Sequence, residues 1–186
     1  MLRPWAADLR DNDERWQRLS QEGVQLFLGL IMEQHMPFAF ETVFSYLQKH
    51  VDGTYSSKEE IITSLQEAGY AVALLFIGLA SVELSVLRVT TRRRQGGHDV
   101  PETNLHQRFP RTQEAIRLAA PVADMTLMFD NSRGIEEAFT LVRVQAKNSV
   151  IYNCRDRRFG EDDESVQIAS TWIWEPFRSW RATRRT

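Results

Sequence analysis

The stretch Gly69-Tyr70-Ala71-Val72-Ala73-Leu74-Leu75-Phe76-Ile77-Gly78 decides how the chain is read. It is a near-continuous apolar run bounded by glycines, the pattern of a strand buried on both faces in a parallel sheet. Helical signals flank it. Upstream, Ser57 can serve as an N-cap with Glu60 three residues on, a capping box, and Gly69 supplies the C-terminal stop. Downstream, the segment Ser81 to Arg94 starts with Ser81 and Glu83 and ends in three arginines, a charge placement that suits the helix dipole. Gln95-Gly96-Gly97-His98-Asp99-Val100-Pro101 must be a loop, and Pro101-Glu102 opens another helix to about Ala119. Met125 to Phe129 then reads as a strand, followed by an Asp130-Asn131-Ser132 turn.

Farther out, Trp16, Leu19, Val24, Phe27, Leu28 and Ile31 recur at helical steps within Asp11 to Gln34. Pro37 stops that helix, and Phe38-Ala39-Phe40 reads as a short buried strand ending at Glu41-Thr42. Beyond Gly134, Phe139 to Gln145 and Ser149 to Cys154 look like two strands around a Lys147-Asn148 turn. Gly160 to Glu164 is an acidic loop, and the tail from Ser165 carries Trp172, Trp174 and Trp180. Alternating strands and helices predict an α/β domain with a parallel sheet and flanking helices, its final β-hairpin decorating one edge. No internal repeat or low-complexity linker interrupts the chain, so one domain over 1–186 is the expectation.

Composition narrows the function classes. The 186 residues are 42% hydrophobic and 26% charged, ordinary for a globular protein, with a formal net charge of −2. No global field draws the chain to nucleic acid or to an anionic membrane, and no run reaches the ~18 apolar residues of a membrane span. Cys154 is alone, which excludes an intrachain disulfide and a cysteine-based zinc site and makes the cytoplasm the expected compartment. His35, His50 and His106 have no partners at metal spacing. Of 23 cationic residues only Lys49, Lys58 and Lys147 are lysines. The rest are arginines, whose rigid fork suits phosphate and carboxylate, although a GC-rich genome would leave the same bias. Arg178, Arg181, Arg184 and Arg185 read as a solvated tail, and Trp172 and Trp174 as packing residues.

Arg88 and Arg92 are four apart and share a helix face, Arg94 ends the same helix, and Arg108 and Arg111 sit three apart on the next one. Two arginine-bearing helices joined by a glycine pair could close over a polyanion, and phosphoryl transfer needs such charge. From composition and spacing alone, the same arginines read more readily as a solvated helix face ending in dipole-matched charge.

The string Arg92-Arg93-Arg94-Gln95-Gly96-Gly97-His98-Asp99-Val100-Pro101-Glu102, followed by Arg108-Phe109-Pro110-Arg111, closely resembles the lid of zeta-toxin-like P-loop kinases. Phe38-Ala39-Phe40-Glu41-Thr42, Gly69-Tyr70-Ala71-Val72 and Phe129-Asp130-Asn131-Ser132 stand in that family's order, so the resemblance spans about 30–133. It implies a P-loop kinase-like fold and a transferase that moves phosphate from ATP, with Mg²⁺ as its companion, to a small hydroxyl acceptor such as UDP-N-acetylglucosamine. It also implies a toxin–antitoxin context with an antitoxin protein as partner. Under the resemblance Glu41 and Thr42 face the acceptor substrate. Arg92 and Arg108 take catalytic lid positions, and Arg88, Arg94 and His98 lie near the ATP phosphates. Asp130, Asn131 and Ser132 lie near the nucleotide base.

One departure weighs against that activity. Family members open with a strand and a G-x-x-x-x-G-K-[ST] loop whose amides and lysine cradle the phosphates. Here no glycine is followed by Lys-Ser or Lys-Thr, and Asp8 matches the catalytic aspartate of relatives by nearness only. Met1-Leu2-Arg3-Pro4 resembles the end of a segment that follows that aspartate in relatives, which suggests a chain lacking its first strand and P-loop. Two readings stand: a kinase domain with its donor loop missing, and a non-catalytic remnant or interaction module that keeps the lid.

Overall fold

A computed structural model of the chain describes residues 4–53, 55–97, 100–134, 136 and 138–154. It divides into two compact units, Met1–Thr42 and Val43–Thr186. The first holds α1 (Pro4–Asn12) and α2 (Glu14–Glu33). Asp13 separates them as the N-cap of α2, accepting from the backbone N–H groups of Arg15 and Trp16 at 2.9 and 3.1 Å. The Arg15 guanidinium beside it, helped by those amides, holds the Asp13 carboxyl at about 2. At its other end α2 stops in a Schellman motif: Met36 N–H bonds Ile31 O, His35 N–H bonds Met32 O, and His35 takes a φ of 50°. No residue of α2 is buried, and Leu19, Leu26, Phe27 and Leu30 are all exposed. The expected strand at Phe38–Phe40 does not form. Its two rings stack with centroids 6.1 Å apart on an irregular, largely exposed segment that pairs with no strand among the described residues.

The second unit opens with a hairpin that the sequence does not announce, β1 (Leu47–Lys49) against β2 (Tyr55–Ser57). Ser57 Oγ accepts from Glu59 N at 3.2 Å, but the N-cap position of α3 (Glu59–Glu67) falls on Lys58, whose side chain makes no cap bond, so the predicted Ser57–Glu60 capping box does not form. Gly69, at φ 87°, ends α3 as expected, with Tyr70 N–H closing on Leu65 O. Then follow β3 (Ala73–Gly78), α4 (Val82–Arg94), α5 (Glu102–Ala119), β4 (Met125–Asp130), β5 (Thr140–Ala146) and β6 (Ser149–Asn153).

These last four strands form one sheet in the order β3-β4-β5-β6. Among the described strands of this sheet only β3 and β4 are parallel, so the expected parallel sheet is corrected to a mixed one. The two-residue Lys147-Asn148 turn and the short β4–β5 connection leave no length for a crossover, which forces antiparallel pairing from β4 outward. The β5–β6 hairpin does decorate one edge, as its turn signal predicts. Between β3 and β4 the chain makes its crossover through α4 and α5.

One face of the sheet is covered. Ile116 and Ala120 meet Met128 and Val142, with Phe44, Leu74 and Phe76 packed around them. Ile62, Ala119 and Ala123 form an adjoining cluster with Val72 and Val122. The other face has no cover among the described residues. Leu75 is 61% and Ile77 52% exposed, and no core cluster among the described residues takes a side chain from it. The apolar run of β3 is therefore not buried on both faces, as its composition predicts, but on one.

Asp124 ties the amino ends of the parallel pair. Its Oδ2 accepts from Val72 N at 2.9 Å and from Gln66 Nε2 at 3.0 Å, and its Oδ1 lies 3.6 Å from Lys147 Nζ. The Val72 amide, then the Gln66 amide group, hold the Asp124 carboxyl below its ordinary range. A depressed carboxyl stabilises the fold above its unfolded pKa of about 3.9 and loses that contribution as pH falls through the lower folded value. Asp124→Ala is therefore expected to lower the urea midpoint at pH 7. The gap to the parent chain should close as the pH is taken below about 4. An equal gap at both pH values would show that the carboxylate charge is not what the knot uses.

Candidate functional site at the carboxyl ends of the parallel pair

In open α/β sheets ligands gather at the carboxyl ends of parallel strands. Here that end is built by the exits of β3 and β4. Asn131 N bonds Gly78 O at 2.9 Å, extending the ladder by one residue, and the chain after β3 turns into α4 at Ser81. Ser81 caps α4 by accepting from Leu84 N at 3.4 Å, and with the adjacent backbone it holds the Glu83 carboxyl below its ordinary range.

Ser132 knits the two exits. Its hydroxyl accepts from Ala80 N at 2.7 Å and donates to Asp130 Oδ1 at 2.5 Å. Asp130 is fully buried, and its second oxygen, Oδ2, has no hydrogen-bond partner among the described residues. Arg88 reaches back from α4 and donates from Nη2 to Asn131 O. Arg88 and Asn131 are 43 positions apart, yet the fold sets them side by side with Asp130 and Ser132. A buried acid with an open oxygen, a guanidinium and a helix N-terminus thus share one end of the sheet.

The glycine pair after α4 has a structural job. Gly96, at φ 84°, sends its N–H to Arg93 O at 2.9 Å, and Gly97 sends its N–H to Arg92 O at 2.9 Å, a Schellman cap on α4. A Cβ on Gly97 would stand 2.5 Å from Arg92 Cγ and 2.8 Å from Arg92 O. Close backbone approach therefore requires glycine there, whatever the loop does. Past the loop, α5 runs unbroken through Pro110, held by the buried side chains of Ala115, Ile116 and Ala119 at its C-terminal half.

The remaining expected residues of the second unit are not joined to this cluster among the described residues. Arg92, Arg94 and Arg108 stand exposed on α4 and α5, and no hydrogen bond or ion pair joins their side chains to other groups among the described residues. His98 lies outside the described residues, as do the acidic loop from Gly160 and the tryptophan and arginine tail. Glu41 and Thr42 are exposed at the end of the first unit, on an irregular segment and not at the end of a strand. Asp124 is a polar anchor that the sequence reading missed. Ser81 was legible as a cap, whereas the partners of Asp124 lie more than 50 positions away.

Mg²⁺ of the kind that accompanies a nucleotide is held by one or two carboxylates together with phosphate oxygens. Asp130 Oδ2 is a carboxylate oxygen of that kind, but it is buried from solvent, so a hydrated cation does not reach it in this conformation. No cluster of three or more metal-ligating side chains occurs among the described residues, so the protein offers no cage of its own there. No helix among the described residues is long and apolar enough to cross a membrane. No family model, curated protein or solved structure matches the chain.

Ser132→Ala is expected to lower stability by roughly 1–3 kcal/mol, because it leaves the Ala80 amide and the buried Asp130 without their shared partner. Gly97→Ala should cost roughly 1–2 kcal/mol through the α4 cap alone. Chemical denaturation of both variants checks this. A neutral Ser132→Ala would mean that the two strand exits are held by the Gly78–Asn131 bond without the hydroxyl.

Proposed function

We propose that the chain carries the donor side of a zeta-toxin-like phosphotransferase, a domain of P-loop kinase type. It would take ATP with Mg²⁺ at the carboxyl ends of β3 and β4 and serve a small hydroxyl acceptor such as UDP-N-acetylglucosamine. The observation that carries this reading is the convergence of Arg88 with Asp130, Asn131 and Ser132. The resemblance assigns these residues to one nucleotide, and they come from pieces of sequence far apart. ATP, when bound, supplies the phosphoryl group. Arg88 would neutralise phosphate charge, Asp130, Asn131 and Ser132 would lie near the base, and Arg92, Arg94 and Arg108 would close from α4 and α5. The acceptor-facing role of Glu41 and Thr42 and an antitoxin partner rest on the resemblance alone.

A second reading is an interaction module that keeps the lid without catalysis. Two observations favour it: the 186-residue sequence holds no G-x-x-x-x-G-K-[ST] loop, and the apolar face of β3 has no cover among the described residues.

Calorimetry with ATP and Mg²⁺ on the 186-residue chain separates the two. The donor-site reading expects weak binding that falls by roughly tenfold in Arg88→Ala, the worth of one charge-assisted contact. The double variant Arg92→Ala/Arg108→Ala should weaken it again. Without a lysine and amide cradle, the chain should show no measurable phosphotransfer to UDP-N-acetylglucosamine. A folded chain that binds no ATP would overturn the donor-site reading and leave the interaction module.

A further inference from the structure

The edge of the sheet opposite the β5–β6 hairpin is β3, and its backbone geometry is specific. Met125 N bonds Val72 O and Asn131 N bonds Gly78 O, so the even-numbered residues of this strand turn their N–H and C=O groups toward β4. In a parallel ladder alternate residues point opposite ways, which turns Ala73, Leu75 and Ile77 outward. Among the described residues no strand pairs with that outer side. The same three residues also place their side chains on the uncovered face, and all three are exposed.

Native sheets usually guard such an edge with a lysine, a proline, a bulge or a very short strand. None of these is present. From Tyr70 to Ala80 there is no charged residue and no proline, β3 is six residues long, and its register with β4 is unbroken.

We infer that the outer edge of β3 pairs antiparallel with the β3 edge of a second copy of this chain, joining two four-stranded sheets into one. The strand is complementary to itself. With the twofold axis at Leu75, Leu75 faces Leu75 and Ala73 faces Ile77, small against large. Each outward N–H then meets an outward C=O of the other copy. A charged strand would repel its own image, and this one carries no charge to do so. An axis perpendicular to the sheet keeps both open faces on the same side, so Leu75 and Ile77 of each copy extend one apolar surface with Leu127 and Phe129. The contact is isologous and uses up the edge, so assembly closes at two copies. This inference is independent of the nucleotide reading, because it uses the edge of β3 and not the strand exits.

The test is the mass of the particle in solution, by light scattering on the eluting peak or by sedimentation. The parent chain is expected to be a dimer at roughly 100 µM, well above the micromolar constants of weak specific interfaces. Leu75→Lys and Leu75→Asp should each be monomeric, because like charges would face each other across the twofold. Mixing the two variants should restore a dimer, because the introduced ammonium of one chain would then face the introduced carboxylate of the other. Circular dichroism of each variant guards against simple unfolding, and recovery on mixing excludes it. A monomeric parent chain, an open series of larger species, or a dimer that survives Leu75→Lys would overturn the inference. A dimer lost instead in Leu26→Lys would move the interface to α2.

Discussion

Two neighbouring strands that run parallel cannot be joined by a tight turn, and this constraint organises the whole second unit. The chain leaving β3 must travel back over the sheet before β4 can begin. It does so through α4, a glycine-capped reversal and α5, and the return path lays Ile116, Ala119 and Ala120 on the sheet. The covered face, the position of the arginines and the meeting of the two strand exits all follow from that one pairing. Because both strands end on the same side, residues 43 positions apart in sequence become neighbours.

Polar ties at the two ends of the parallel pair differ in kind. At the amino ends Asp124 is half-exposed and every interaction it makes is favourable to its charge: two hydrogen-bond donors and a lysine. At the carboxyl ends Asp130 is buried with one oxygen satisfied by Ser132 and the other unmet among the described residues. The first arrangement is what a structural anchor needs. The second is costly for a fold on its own, since an unmet buried oxygen forfeits hydration without replacement. That contrast is why the carboxyl end, and not the amino end, is the place to look for a ligand.

Burial in this chain is one-sided, and the imbalance bears on both readings of function. Helices cover one face of the sheet, while the face of Leu75 and Ile77 has no cover among the described residues. In the first unit α2 is in a similar position, amphipathic in sequence and with no buried residue. At about 25 cal/mol per Å² of apolar area, side chains of this size leave considerable stabilisation unused in water. A partner seated on either surface would gain it, whereas pairing along the β3 edge alone leaves the open face in water.

Elements with local punctuation were legible from the residues alone. Ser81 and the Gly96-Gly97 pair delimit α4, Pro101 and Glu102 open α5, and the Lys147-Asn148 turn sets the final hairpin, all within a residue or two of where they fall. These signals work because caps and turns satisfy backbone groups a few positions away. The failures were non-local. Phe38–Phe40 has strand-like residues but no strand beside it among the described residues, and the small β1–β2 hairpin has a partner without a clear pattern. Of the candidate site, the arginines and the Asp130–Ser132 segment were visible as motifs, but their convergence was not. What the sequence by itself determined is where helices and strands begin and end, because that is short-range hydrogen bonding. Only the tertiary structure decided which strands run parallel, which face of β3 is covered and which polar atoms meet, because those depend on partners that distance in sequence does not reveal.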